Sequence, residues 1–123
     1  MFNFRQLLGQ TGEATAVRYL KKKKYKILEL NYKNNLGEID IIADDQGVIS
    51  FIEVKTRSSK AFGNPKEAVT KRKQKKISMV ALAWLKSKNK IDIKARFDVV
   101  SIVSHKMSMD IELVKNAFEL NYR

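Results

Sequence analysis

The segment VISFIEV, residues 48–54, constrains the fold more than any other part of the chain. Its Val, Ile and Phe residues fall at both odd and even positions, so an extended strand here would be apolar on both faces. A strand of that kind belongs in the middle of a sheet that is covered on both sides. The remaining segments are therefore expected to supply neighbouring strands and a helix for each face.

The segments around this strand have the required patterns. YKILELN and GEIDIIA precede it, separated by short polar and glycine-containing breakers, which predicts a three-stranded meander. Apolar residues at helical spacing predict helices over about residues 4–24 and 65–88, the second with Asn64 as N-cap and Pro65 in its first turn. ARFDVVSIV and MSMDIELV predict two further strands. The order α-β-β-β-α-β-β is typical of an α/β fold in which a mixed β-sheet is flanked by helices.

Length and composition restrict the classes of protein to which this chain can belong. The 123 residues fit a single domain, 1–123, and show no repeat or linker. The absence of cysteine excludes disulfides, thiolate metal sites and cysteine nucleophiles, and the only histidine, His105, is expected in a surface turn. The amino terminus lacks a charged leader followed by an apolar run, so a cytoplasmic location is expected. No stretch approaches the roughly 20 apolar residues that span a bilayer, so no membrane partner is expected.

The net charge of +12 must be balanced by anionic partners or solvated by water. Nucleic acid is the natural partner for such an excess, although a solubilising surface or an anionic membrane surface would also accommodate it. Lysines 21–24 are interpreted as a solvated helix end that the helix dipole favours, and the alternative is a specific phosphate clamp. In the second helix Lys73 continues the apolar stripe and is expected to reach inward, whereas Lys71, Arg72, Lys75 and Lys76 form a solvated or phosphate-facing surface.

Acidic side chains interrupt the apolar pattern of the second and third strands. A two-residue turn at 46–47 would place Asp40 opposite Glu53 and Glu38 opposite Lys55, all on one face. Two carboxylates about 5 Å apart repel each other unless a positive charge lies between them. Oxygen ligands without Cys or His favour Mg²⁺ or Mn²⁺. The alternative is that Lys55 merely neutralises Glu53 or Glu38 at a strand end.

Three further charged residues lie near apolar faces. Glu13 falls on the apolar face of the first helix, where Gly12 would allow close approach to another element; the alternative is an acidic residue that the helix dipole favours. Arg96 and Asp98 share one face of a later strand, where they either support the site or form an ion pair along the strand.

Five segments in order carry a resemblance to a known family: GEATAVRYL, NYKNNLGEIDIIA, FIEVKTR, FGNPKEAVTKRKQKKI and RFDVV. Together they resemble the bacterial YraN-type family of endonuclease-like proteins. Asp40 followed by Glu53-Val54-Lys55 resembles the signature of the PD-(D/E)XK, or restriction endonuclease-like, superfamily, and Glu13 on a preceding helix is similar to a feature of Holliday-junction resolvases.

The resemblance implies roles for individual residues. Asp40, Glu53 and the Val54 carbonyl would hold Mg²⁺ or Mn²⁺, Lys55 would position or deprotonate the attacking water, and Glu13 would orient a ligand or complete a second metal position. Glu38, Arg96 and Asp98 would have supporting roles. Contacts to nucleic acid are expected from four residues: Arg57, Lys71, Arg72 and Lys73.

The resulting hypothesis is a metal-dependent endonuclease acting on DNA, including branched or structured DNA. The alternative is a noncatalytic module that keeps the nuclease fold and binds nucleic acid or a protein partner. Such a module would bind DNA with strong salt dependence but would not respond to divalent metal. Similarity to junction resolvases also suggests a homodimer, which would present two sites to a symmetric branch.

Overall fold

The computed structural model describes residues 4–58 and 69–119, with side chains from residue 12 onward. The predicted order of elements is confirmed. The elements are α1 (Phe4–Lys22), β1 (Lys26–Asn34), β2 (Gly37–Asp45), β3 (Val48–Ser58), α2 (Lys71–Ser87), β4 (Ala95–Ser104) and β5 (Met109–Phe118).

The strands form one five-stranded sheet in the order β1-β2-β3-β4-β5. β3 pairs with β4 in parallel, and every other neighbouring pair is antiparallel, so the sheet is mixed as predicted. The doubly apolar segment occupies β3, the central strand. Burial on both faces is what its composition requires.

A helix covers each face of the sheet. On one face α1 contributes Ala16 and Leu20 to a core that contains Ile41 and Ile52. On the other face α2 contributes Val80 and Trp84 to a core with Phe51 and Phe97. The Trp84 and Phe51 rings meet edge to face with 5.8 Å between their centroids, a favoured aromatic geometry.

From the turn to the Ile41–Ile52 pair, the β2–β3 hairpin has the register that the sequence predicted. Gln46 and Gly47 both have positive φ, at 54° and 92°, as a two-residue hairpin turn requires, and Asp45 pairs with Val48. The paired residues continue outward to Ile41 and Ile52, where the ladder ends. The predicted pairs Asp40–Glu53 and Glu38–Lys55 are therefore not part of the ladder, although Asp40 and Glu53 are the next residues along the two strands.

The two helix boundaries show how local chemistry sets the elements. α1 ends in a Schellman motif: Tyr25 N–H donates to Leu20 O and Lys24 N–H to Lys21 O, with Lys24 in the left-handed region at φ 71°. α2 begins later than predicted, because Thr70 is extended and its hydroxyl accepts from Lys73 N–H as the N-cap. The predicted cap, Asn64, and Pro65 lie outside the described residues.

Candidate active site

Asp40 lies where β2 and β3 separate. Its Oδ2 accepts a hydrogen bond of 2.8 Å from Val54 N–H, so a carboxylate satisfies a strand amide beyond the end of the ladder. Ile39 joins the α2-side core whereas Ile41 joins the α1-side core, although regular alternation would put both on one face. The strand is therefore irregular at Asp40. This irregularity holds the carboxylate beside the β3 backbone and next to Glu53.

Glu53 is a buried carboxylate with two lysine partners. Its residue exposure is 7%, and its Oε1 lies 2.5 Å from Lys73 Nζ and 3.7 Å from Lys55 Nζ. Lys55 shares the face of Glu53 because it lies two residues further along β3. Lys73 reaches Glu53 from the first turn of α2, as the inward-facing prediction required. Lys55 pairs with Glu53, whereas Glu38 has no ion pair among the described residues.

The acidic pair shifts the protonation of Asp40. Burial and the negative charge of Glu53 raise the pKa of Asp40 to about 7, with a smaller rise from Glu13; the Val54 amide and Lys73 oppose this shift. The Asp40 carboxylate therefore lies in a poorly solvated environment beside a second negative charge, despite the neighbouring lysines. A cation bound beside Asp40 would restore its ionised form.

The two lysines are shifted in opposite directions. Burial and the charge of Lys73 lower the pKa of Lys55, although Glu53 partly opposes the shift. Burial also disfavours the charged form of Lys73, but the hydrogen bond and charge of Glu53 outweigh it, so the pKa of Lys73 is raised. Lys55 is thus the more easily deprotonated of the two. Lys73 is held as a cation.

Glu13 and Glu38 lie near this group. Gly12 packs against Thr56 so closely that an added Cβ would collide with the Thr56 hydroxyl, as the expected close approach of α1 to another element implies. This contact brings Glu13 near enough for its charge to act on Asp40. Glu38 is exposed and lines the same cleft as Asp40. The cleft is about 200 Å³ in volume and is lined by Gly37, Glu38, Asp40, Glu53, Lys73, Lys76 and Ile77.

The donor atoms suit a hard divalent cation. Within residues 4–58 and 69–119, no group of three or more His, Cys, Asp or Glu side chains is arranged to hold a metal. Asp40 and Glu53 nevertheless each use one oxygen in the contacts described above, which leaves Asp40 Oδ1 and Glu53 Oε2. Mg²⁺ is commonly held by one or two carboxylates, with water and substrate phosphate completing its shell. Two carboxylates and the nearby Val54 carbonyl fit that donor set.

Arg96 and Asp98 lie in a separate network on the α1 side of the sheet. Asp98 is fully buried, and it accepts hydrogen bonds from Ser50 Oγ at 2.5 Å, Arg96 Nε at 3.0 Å and Asn116 N–H at 2.9 Å. The β4–β5 register shifts beside Asp98, and Asn116 has a positive φ that turns its amide towards the carboxylate. Of the two alternatives for this pair, the ion pair along the strand is present. Neither residue contacts Asp40 or Glu53.

The network includes residues that the sequence did not single out. Arg96 also donates to Asp45 Oδ2 at 2.6 Å and to the Tyr25 hydroxyl at 2.7 Å. Burial and the charge of Asp98 raise the pKa of Tyr25 to about 12. The hydrogen bond from Arg96 lowers the pKa of Asp45. Ser50 was the available signal, because it is a hydroxyl inside the apolar central strand.

The expected nucleic-acid contacts are distributed around α2 and β3. Lys71 and Arg72 are exposed at the start of α2, and Lys73 reaches the carboxylate pair. Arg57 lies further along β3 and donates to Ser101 Oγ at 3.3 Å. His105 lies in the surface turn between β4 and β5, where its Nε2 is 2.6 Å from Asp110 Oδ2. In the described part of the chain, no helix is long and apolar enough to cross a membrane.

Comparison with known proteins shows which family this chain resembles. Residues 12–102 match the model of the "Uncharacterised protein family UPF0102". A UPF0102 protein of Geobacter metallireducens is 50% identical over 115 residues, covering 94% of either chain. Relatives in Geotalea uraniireducens and Acetivibrio thermocellus are 51% and 48% identical, with 94% of this chain aligned in each case and 91% and 94% of the relative. The matched residues include both carboxylates and both lysines of the site.

Proposed function

The chain belongs to the uncharacterised protein family UPF0102, and we propose that it is a metal-dependent nuclease that hydrolyses phosphodiester bonds of DNA. The proposal rests on one observation, the pairing of the partly buried Asp40 with the buried Glu53, with Lys55 and Lys73 against Glu53. Membership of the PD-(D/E)XK superfamily is part of the proposal, as is a preference for branched or structured DNA. So are a cytoplasmic location and a homodimer.

Asp40 and Glu53, with the Val54 carbonyl, would hold Mg²⁺ or Mn²⁺. When bound, the metal supplies a Lewis acid that activates water and stabilises charge on the scissile phosphate. The two carboxylates provide negative charge, and the Val54 amide fixes Asp40 in position. The cost of placing two carboxylates together is the reason that a cation is favoured between them.

Lys55 is placed to handle a proton in this reaction. Its ammonium lies beside Glu53, and its lowered pKa makes the neutral amine more accessible than for an exposed lysine. A general base is most effective when its pKa lies near the working pH. In its charged form Lys55 would instead stabilise the negative charge that develops on the phosphate. Both roles require it to remain within reach of the cleft.

Lys73 is placed to bind the phosphate. In this structure its ammonium is held by Glu53, and it lines the cleft with Lys76. A cation that replaced it next to Glu53 would release Lys73 toward an incoming phosphate. Glu13 is near enough for its charge to act on Asp40, so it would help to orient the metal ligands.

The first turns of α2 provide a surface for DNA. Residues 71–76 carry five cations and the first turn has no acidic residue, so positive charge gathers at the positive end of the helix dipole. Like charges at i and i+4 also repel each other. This arrangement costs stability in the free protein, in contrast to α1, where Lys21 and Lys22 lie at the favourable carboxyl end. A polyanion such as DNA would offset both effects.

The test is cleavage of end-labelled DNA by the wild type and two site variants. Single-stranded, duplex, flap and four-way-junction substrates would each be incubated with Mg²⁺, Mn²⁺ or EDTA. We expect metal-dependent cutting that falls at least about a hundredfold in Asp40→Asn and in Lys55→Gln, because each removes a group that acts at the reacting phosphate. Asp92→Asn is the matched control, since Asp92 is an exposed carboxylate in the loop before β4.

The outcomes separate the proposal from its alternative. Cutting that persists in EDTA, or that survives Asp40→Asn unchanged, would contradict the metal-dependent mechanism. Salt-sensitive DNA binding without cutting under any metal condition would identify a noncatalytic module. In that case the wild type and Asp40→Asn would bind DNA equally well. Comparing the four substrates reveals whether branched DNA is preferred.

A further inference from the structure

A second pocket adjoins the carboxylate cleft. It is about 360 Å³ in volume and lined by Leu36, Arg72, Lys75, Lys76 and Met79, and we refer to it as the Met79 pocket. Lys76 lines both cavities, and Leu36 immediately precedes Gly37, which lines the carboxylate cleft. The Met79 pocket is therefore directly beside the proposed site of phosphodiester cleavage.

The α2 wall of the Met79 pocket is a single helical stripe. Arg72, Lys75, Lys76 and Met79 are spaced at i, i+3, i+4 and i+7, so they share one face of α2. Leu36 forms the opposite wall from the turn between β1 and β2, and 42% of its surface is exposed. The pocket thus combines two apolar side chains with three cations. This stripe is distinct from the one through Ile77, Val80 and Trp84, which packs into the core.

We propose that the Met79 pocket receives an unpaired nucleobase adjacent to the phosphate bound in the carboxylate cleft. A nucleobase has apolar faces that would pack on Leu36 and Met79, while its flanking phosphates would contact the cations. The volume lies in the range of small-molecule sites, about 300–1,000 Å³. A base within a duplex remains stacked and paired and cannot enter the pocket without being extruded. The pocket therefore specifies single-stranded or branched nucleic acid, an inference that rests on the proposed function.

Charge complementarity selects this occupant over others. Arg72, Lys75 and Lys76 have no ion pair among the described residues, and they add to the charge of Lys71 and Lys73 on the same turns. An acidic partner is needed, and it must also present a flat apolar group. A nucleotide chain does both at regular spacing along its backbone. It also continues without interruption into the carboxylate cleft.

The test measures binding in EDTA, so that it does not depend on cleavage. Fluorescence anisotropy would follow three DNA probes of equal length: a single strand, the same strand with consecutive abasic sites, and a duplex. For Leu36→Ser/Met79→Ser we expect single-strand affinity to fall by about tenfold, within the range for loss of one base contact. Affinity for the abasic strand and for the duplex should change less than about twofold, because the cations remain.

Three further variants make the result specific. Leu30→Ser is the matched control, because Leu30 is a comparably exposed leucine on β1 that does not line the pocket. Arg72→Gln/Lys75→Gln should weaken all three probes and reduce the dependence of affinity on salt. Leu36→Ser alone serves if the double variant does not fold, since this side chain lies in an exposed turn.

The inference is overturned if removing the apolar walls weakens all three probes equally or none of them. It is also overturned if the same variant loses binding to vesicles of anionic lipid while keeping its single-strand affinity. If the wild type cuts DNA with metal but the pocket variant binds all probes normally, the pocket inference alone fails. If base-dependent binding is present but no metal supports cutting, the nuclease proposal fails and the pocket remains.

Discussion

Replacing Asp40 with asparagine is expected to stabilise the metal-free protein at neutral and alkaline pH. Burial and the charge of Glu53 raise the pKa of this carboxyl from 3.8 to about 7. The unfolded chain loses the proton near 3.8, whereas the folded chain keeps it until about 7. The folded state therefore binds more protons in this window, and the free energy of unfolding of the wild type decreases as pH rises through it.

The magnitude follows from the size of the shift. A difference of one pKa unit corresponds to about 1.36 kcal/mol, so a shift of this size sets an upper limit of about 4 kcal/mol. Asp40 is only partly buried, so we expect roughly 2–4 kcal/mol above pH 8. Asparagine keeps an oxygen that accepts from Val54 N–H, so the substitution removes the charge without removing that hydrogen bond.

The assay is urea unfolding in EDTA at pH 5, 7 and 8.5. Trp84 is the only tryptophan and is buried, so its fluorescence reports unfolding directly. The stability advantage of Asp40→Asn should be smaller at pH 5 and increase with pH, whereas Asp92→Asn should show no such increase. An advantage that is independent of pH, or a variant that is less stable than the wild type at pH 8.5, would refute the reasoning. Either result would mean that Asp40 is not held in an anion-rich environment.

Four further outcomes are expected. Mn²⁺ or Mg²⁺ at a hundred times its dissociation constant should raise the free energy of unfolding by about 2.7 kcal/mol at pH 8, and Asp40→Asn should abolish this increase in thermal or urea unfolding. Asp98→Ala should cost about 3–5 kcal/mol in urea unfolding, because it leaves Arg96 without its buried partner, but the response to metal should persist. Lys24→Gly should raise stability by about 1 kcal/mol in the same assay, since Lys24 is left-handed at the end of α1; a loss of stability would contradict the assignment of this helix end. Gly47→Ala should lower stability by about 1 kcal/mol or more because of the positive φ at that position, whereas Gln46→Gly should not.

The sequence by itself determined the element order and the pairing of the hairpin. Both depend on short-range regularities: the period of two in a strand, the period near 3.6 in a helix and the glycine at a two-residue turn. A one-residue error in register would have moved every apolar side chain of β2 to the opposite face. The same regularities predicted Asp40 near Glu53, but regular pairing ends at Ile41 and Ile52. The irregularity of β2 at Asp40 then holds its carboxylate against the Val54 amide.

The local sequence did not determine the residue at which α2 begins. Asn64 and Thr70 are both good N-caps by composition, and Pro65 favours a first helical turn. The capping hydrogen bond forms at Thr70, where the hydroxyl meets Lys73 N–H. Packing of the whole helix against the sheet decides between caps of similar intrinsic strength.

The tertiary structure alone decided the partners of the charged residues. Lys73 bonds to Glu53 across twenty residues of chain. Asp98 bonds to Ser50 on β3, to Asn116 on β5 and to Tyr25 in the connection between α1 and β1. Periodicity tells which face of its own element a side chain occupies, but it does not tell which side chain of another element lies opposite. The Met79 pocket has the same origin, since it forms only where the turn carrying Leu36 meets α2. Sequence patterns thus determined the order of the elements and most of their inward faces, and the packing of the elements created the site.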